Sequence, residues 1–187
     1  MGRRRGMGDG EIQQSLTFDL RLLTNNQQLK TNNDRALMNN IINEPYLPFF
    51  FYGTLRPRDY NYLIHVEGRT LTEEAGYTLA GFELYDQGHY PLGRESADQS
   101  RVVVGDLIAI PLEIYPEILA DIDELETYKP GRAENYYTRQ TREVTGPDGQ
   151  KQPAWVYIVT EEYFALLKST LTLIANGDWL VWKAKKL

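Results

Sequence analysis

The chain has 187 residues, 42% of them hydrophobic, with 20 Lys and Arg against 26 Asp and Glu for a net charge of -6, which suits one globular domain with an appended arm and disfavours a nucleic-acid-binding role. Cysteine is absent, which excludes disulfides, thiolate catalysis and cysteine zinc sites together. No apolar run approaches the roughly 20 residues that span a bilayer, and no signal-peptide pattern follows Met1, so the expectation is a soluble cytoplasmic protein without a membrane association.

Residues 1–45 are rich in Asn and Gln pairs and poor in aromatics. They read as a flexible N-terminal extension in which Leu37, Met38, Ile41 and Ile42 could form one short amphipathic helix. The Arg3–Arg5 run reads as a solvated tail. The patterned domain covers 46–187. Its first strand is predicted over Leu47–Tyr52 from aromatic enrichment, ending at Gly53, and a second over Tyr77–Tyr85. A third follows over Val102–Ile110, stopped by Pro111. Ile114, Ile118, Ile122 and Leu125 then recur at helical spacing through an acidic segment, predicting a helix that ends near Glu126. Tyr136–Val144 and Ala154–Val159, joined by the turn "TGPDGQ", predict a hairpin. Glu161–Ile174 reads as a closing helix, with Asn176-Gly177 as its left-handed cap. Few helices between strands argue against a parallel strand-helix repeat. The predicted class is α+β, a small mixed β-barrel with flanking helices.

Several chemistries are disfavoured by pattern. His65 and His89 share no metal-ligand spacing, and the metalloprotease, nucleophile-elbow, P-loop and dinucleotide motifs are missing. "DIDELE" at 121–126 would need an oxygen ligand at Leu125 and a glycine at Glu126 to bind calcium. No metal or cofactor is therefore expected. What remains is the Gly-Thr-Leu turn after an aromatic strand, and one carboxylate, Glu126, just beyond the apolar Leu125. If it points inward, desolvation raises its pKa toward the range useful for proton transfer; read alone, such a position is ordinarily a solvated helix end, and such a glycine an ordinary turn.

In their order, "FYGTLR" (51–56), "GFELYDQGHYP" (81–91), "VVGDLIAI" (103–110), "LADIDELETY" (119–128), "NYYTR" (135–139) and "AWVYI" (154–158) resemble the gamma-glutamylcyclotransferase-like family. The resemblance implies a small barrel enzyme, a transferase or lyase in class, that releases 5-oxoproline and a free amine from a gamma-glutamyl amide by intramolecular acyl transfer. Carried over, it implies that Tyr52, Gly53, Thr54 and Leu55 hold the glutamyl part, that Glu126 is the general acid and base, and that Tyr137 is a pocket wall or hydrogen-bond donor. Arg139 is left out, since it could equally serve as a structural ion-pair partner. A monomer acting on a small gamma-glutamyl substrate is expected. Two departures stand out: Thr127 replaces a glycine common after the catalytic Glu, and His89 replaces a second glycine before Tyr-Pro. The competing readings are a non-catalytic small-molecule or protein binding module on the same fold, and removal of a gamma-glutamyl protecting group in a biosynthetic pathway.

Overall fold

The computed structural model describes residues 46–186; the predicted extension and its short helix lie outside the described residues. Five strands close a barrel in the order β1-β5-β2-β6-β7: β1 (Phe49–Phe51), β2 (Thr72–Ala80), β5 (Val102–Ala109), β6 (Tyr137–Thr145) and β7 (Lys151–Val159). All neighbours pair antiparallel except β1 with β7, whose parallel contact at Phe49 and Trp155 seals the barrel. A second, three-stranded sheet has the order β4-β3-β8: β3 (Phe82–Asp86), β4 (Pro91–Glu95) and β8 (Thr172–Ile174). The helices are α1 (Tyr60–His65), α2 (Tyr115–Leu125), α3 (Glu161–Leu167) and α4 (Trp179–Ala184).

The unbroken aromatic run that opens the domain follows from burial on both faces of β1. Phe50 belongs to a core cluster with Leu79, Val103, Leu107 and Val156. On the opposite face Phe49 and Phe51 stack at 5.5 Å, and Phe49 stacks on Tyr115 of α2 at 5.8 Å. Ile118, Leu119 and Ile122 are the fully buried stripe of α2, so its helical period is explained by packing.

Three sequence expectations change. The single strand predicted over Tyr77–Tyr85 is two strands, because Gly81 at φ 71° turns the chain out of the barrel and into the second sheet; a hydrophobic period alone does not report that turn. The closing helix stops at Leu167, passes through a 3-10 turn and returns as β8, which pairs with β3. Gly177 is left-handed at φ 65° as expected, but it follows β8 instead of capping a helix. A Cβ there would lie 2.0 Å from the Val102 carbonyl oxygen. The loop then enters α4, whose start is capped by Asp178 through Leu180 and Val181.

Candidate active site

The chain leaves β1 through Tyr52 into a tight turn in which the Arg56 amide donates to the Gly53 carbonyl at 3.0 Å. Among the described residues, the amides of Gly53, Thr54 and Leu55 meet no backbone or side-chain acceptor. Their conformation is held from outside. The Tyr62 amide donates to the Thr54 carbonyl at 3.0 Å, and Asn61 Nδ2 donates to Thr54 Oγ1 at 2.8 Å. The buried Arg56 forks onto Asp106 of β5 at 3.0 and 3.2 Å and reaches Asp178 at 2.8 Å. Asp59, which caps α1, receives Trp179 Nε1 at 2.9 Å and Lys183 Nζ at 2.6 Å. The C-terminal helix thus clamps the turn from two sides.

Gly53 is not among the glycines with positive φ, so an unusual backbone angle is not what requires it. Instead a Cβ at Gly53 would lie 2.9 Å from Pro91 Cγ. The glycine lets the turn sit against the proline ring at the start of β4.

Tyr52, Gly53, Thr54, Leu55, Glu126 and Tyr137 all line one cavity of about 380 Å³. Glu126 is half-buried at the C-terminus of α2, with backbone φ -81° and ψ 4°. Its carboxyl has no hydrogen-bond or ion-pair partner among the described residues. Burial, and secondarily the Asp123 carboxylate on the preceding turn, push its pKa up to about 8. The negative end of the helix dipole acts in the same direction. Asp123 is itself engaged: it accepts from Arg139 Nε at 2.9 Å and from the Tyr157 hydroxyl at 2.6 Å. Tyr157 in turn accepts the Tyr52 hydroxyl on its carbonyl at 2.7 Å. Arg139, sandwiched against Trp155 at 4.5 Å and Tyr128 at 5.5 Å, is therefore an ion-pair partner of the helix that carries Glu126. Tyr137 lies on the same face of β6 as Arg139, and its hydroxyl has no partner among the described residues. Burial and the neighbouring Tyr52 and Glu126 drive that phenol far above its usual range.

Thr127 has φ 52°. The helix ends there in a Schellman arrangement, with the Thr127 amide on the Glu124 carbonyl at 3.0 Å and the Tyr128 amide on the Asp123 carbonyl at 2.8 Å, a motif whose left-handed position favours glycine. The threonine holds the same backbone path and donates its hydroxyl to the Glu126 carbonyl at 2.7 Å. His89 is exposed and does not line the cavity, whereas its neighbours Tyr90 and Pro91 do. The sequence assigns no role to Asn61, Tyr90, Asp123, Tyr157 or Tyr163. Tyr90, Asp123 and Tyr157 lie inside the family-like segments, and Asp123 also stands three residues before Glu126 on the same helix face. Among the described residues no group of three His, Asp or Glu side chains is arranged to hold a metal, and no helix is long and apolar enough to cross a membrane.

Residues 49–181 match the model of the family described as gamma-glutamyl cyclotransferase, AIG2-like. The chain belongs to this family. A relative from Halalkalibacterium halodurans, named "Putative gamma-glutamylcyclotransferase BH1612", is 38% identical over 104 residues, covering 55% of this chain and 82% of that protein. Among solved structures, an AIG2-like protein from Mus musculus has TM-score 0.51 and 18% identity over 71% of this chain and 87% of its own. YkqA from Bacillus subtilis has TM-score 0.50 and 18% identity over 71% of this chain, which spans only 39% of YkqA. These structural likenesses show the barrel fold. Activity is a separate matter, and turns on the cavity.

Proposed function

We propose that this gamma-glutamyl cyclotransferase family member cleaves a gamma-glutamyl amide by attack of the substrate's own α-amine on its γ-carbonyl, releasing 5-oxoproline and a free amine. The observation that carries the reading is one cavity lined both by a carboxyl, Glu126, and by three amides, those of Gly53, Thr54 and Leu55, that have no partner among the described residues.

Such amides are suited to a carboxylate or to the oxygen that becomes negative in the tetrahedral intermediate. Glu126, with a pKa of about 8, is divided between acid and base near neutrality, the condition for passing a proton in both directions. The substrate's α-ammonium placed beside it favours the carboxylate. Glu126 takes one ammonium proton, the freed nitrogen bonds to the γ-carbon, and the oxygen gains the carbonyl electron pair. As that pair returns, the amide C–N bond breaks and Glu126 returns its proton to the departing nitrogen. The second proton of the ring nitrogen passes to the released amine, which leaves as an ammonium ion. Holding the substrate folded supplies much of the acceleration through proximity. Tyr137 walls the glutamyl part and offers a hydroxyl donor.

The test is 5-oxoproline release from a panel of gamma-glutamyl amides by the wild type and by Glu126→Gln. The glutamine keeps the size and polarity but cannot accept the proton, so turnover is expected to fall about a hundredfold or more with binding largely retained. A glutamine variant as fast as the wild type overturns the mechanism. Binding without product from either protein would leave a non-catalytic binding module.

A further inference from the structure

From Trp179 to Lys186 the chain repeats one arrangement twice. Trp179 and Lys183 meet Asp59: the indole Nε1 donates to Oδ2 at 2.9 Å and the ammonium to Oδ1 at 2.6 Å. Trp182 and Lys186 meet Asp86: the indole Nε1 donates to Oδ2 at 3.0 Å and the ammonium to the same oxygen. Both pairs are spaced i, i+4, and the second is offset from the first by three residues, so the four side chains share one helix face. Each carboxylate also accepts the backbone amide that opens the segment after it, Tyr60 for Asp59 at 2.7 Å and Gly88 for Asp86 at 2.8 Å.

The two carboxylates are buried, with side chains 2% and 6% exposed, yet neither lines the cavity. A buried ion pair is weak evidence for stability, and its best-attested use is to fix a register. Here each anchor holds one wall. Asp59 closes the turn that carries the Gly53, Thr54 and Leu55 amides, its own amide on the Arg56 carbonyl at 3.0 Å. Asp86 opens the loop that delivers Tyr90 and Pro91 to the cavity. The walls meet where the Pro91 ring sits against Gly53, too close for a Cβ. The start of α4 is itself fixed to the barrel, by the Val104 amide on the Gly177 carbonyl at 2.8 Å and by Arg56 on Asp178. One short helix, pinned at its start and outside the cavity lining, thus grips both walls.

We infer that α4 is a strut that sets the spacing of the two walls, and that Trp179, Trp182, Lys183 and Lys186 are positioning residues that act on the turn amides through Asp59 and Asp86. A strut works only while both ends are held, so releasing either end loosens both walls. The inference rests on the cyclotransferase reading only for the ligand that probes the turn, 5-oxoproline.

Lys183→Met weakens the Asp59 end and Trp182→Phe the Asp86 end, both at half-buried positions. Lys186→Met opens the Asp86 end without touching an aromatic ring, should Trp182→Phe fail to fold. Hydrogen exchange followed by NMR reads the Arg56 and Tyr62 amides, which close on the Gly53 and Thr54 carbonyls, and the Gln87 amide, which closes on the Tyr90 carbonyl at 3.2 Å. Each variant is expected to speed exchange at all three about tenfold while the β6–β7 ladder keeps its wild-type rates. Calorimetric affinity for 5-oxoproline should fall about tenfold in each variant and little further in the double variant, since one open end already frees the strut. Lys183→Arg should restore both readouts. Lys185→Met, at an exposed position beside the strut residues, should change neither. The strut is refuted if each variant loosens only the wall it touches, if exchange rises equally throughout the barrel, if the two losses of affinity multiply, or if 5-oxoproline binds wild type and variants alike. If the coupled exchange appears but the wild type neither binds 5-oxoproline nor releases it from any gamma-glutamyl amide tested, the strut stands and the cyclotransferase reading falls.

Discussion

Asp123 engages the Arg139 guanidinium at 2.9 Å, and Glu126, three residues further along at the end of the same helix, has no cation partner among the described residues. The two carboxylates have opposite environments for that reason. Asp123 is anchored between α2, β6 and β7, and Glu126 is the carboxyl that we propose carries the proton.

That arrangement sets a pH dependence of rate. With Glu126 as the base and its pKa near 8, the fraction in the base form rises through that value. The wild-type kcat/KM, which reports the free enzyme, is expected to rise from pH 6 with an inflection near 8, well above the ordinary carboxylate range. A pH profile of kcat/KM for a gamma-glutamyl amide at low concentration checks it; a plateau already reached by pH 6 counts against a raised Glu126.

Stability should move in the other direction. In the unfolded chain Glu126 releases its proton near 4.5, and in the fold near 8. Between those values the folded protein holds a proton that the unfolded chain has lost, so stability falls as pH rises through the window and the full penalty is present above 8. Glu126→Gln removes the penalty. It should be more stable than the wild type by about 1 kcal/mol or more at pH 9, with the difference vanishing below pH 4.5. Urea unfolding of both proteins at pH 4 and 9 measures this.

The turn gives a steric prediction. Because a Cβ at Gly53 meets the Pro91 ring at 2.9 Å, and a proline ring cannot swing away, Gly53→Ala should destabilise by about 1 to 3 kcal/mol. Gly53→Val should in addition weaken 5-oxoproline binding, since displacing the turn moves its amides. Thermal melts and calorimetry separate the two effects; unchanged affinity would remove the turn from the site.

Thr127 offers the opposite outcome. A non-glycine residue in the left-handed region costs about 1 to 2 kcal/mol, partly offset here by lower chain entropy in the unfolded state. Thr127→Gly is expected to stabilise by about 1 kcal/mol, or about 3 °C in Tm. A lower Tm would mean that the hydroxyl bond to the Glu126 carbonyl outweighs the strain.

Every strand of the barrel lies between Phe49 and Val159, and the family match begins at residue 49. Two contacts mark how far a truncation can go: the Trp155 amide donates to the Pro48 carbonyl at 2.9 Å, and the Tyr115 hydroxyl to the Leu47 carbonyl at 2.6 Å. We propose that residues 1–45 are an appended extension. A chain starting at Tyr46 should then melt in one cooperative transition, and a broad or absent transition would refute that.

Much of the domain was legible in the order of its residues, because local chemistry decides those parts. Val102–Ala109 shows its strand by two β-branched and aliphatic runs either side of Gly105 and Asp106, α2 by its helical stripe, and the β6–β7 hairpin by its Pro-Asp-Gly turn. Gly53 and Glu126 stand out as a strand end and a helix end. The partners of those residues are what the sequence withholds. That Tyr77–Asp86 divides between two sheets depends on which edges the barrel leaves open, and that Thr172–Ile174 is a strand depends on β3 waiting to pair with it. Gly53 is required by Pro91, and Glu126 is kept free because Asp123 holds Arg139 from another strand. The Tyr90, Tyr136 and Tyr163 group that lines the cavity assembles from the loops before β4 and β6 and from α3. Each of these is a contact between residues distant along the chain, and its energy exists only once the barrel has closed and excluded water from between them.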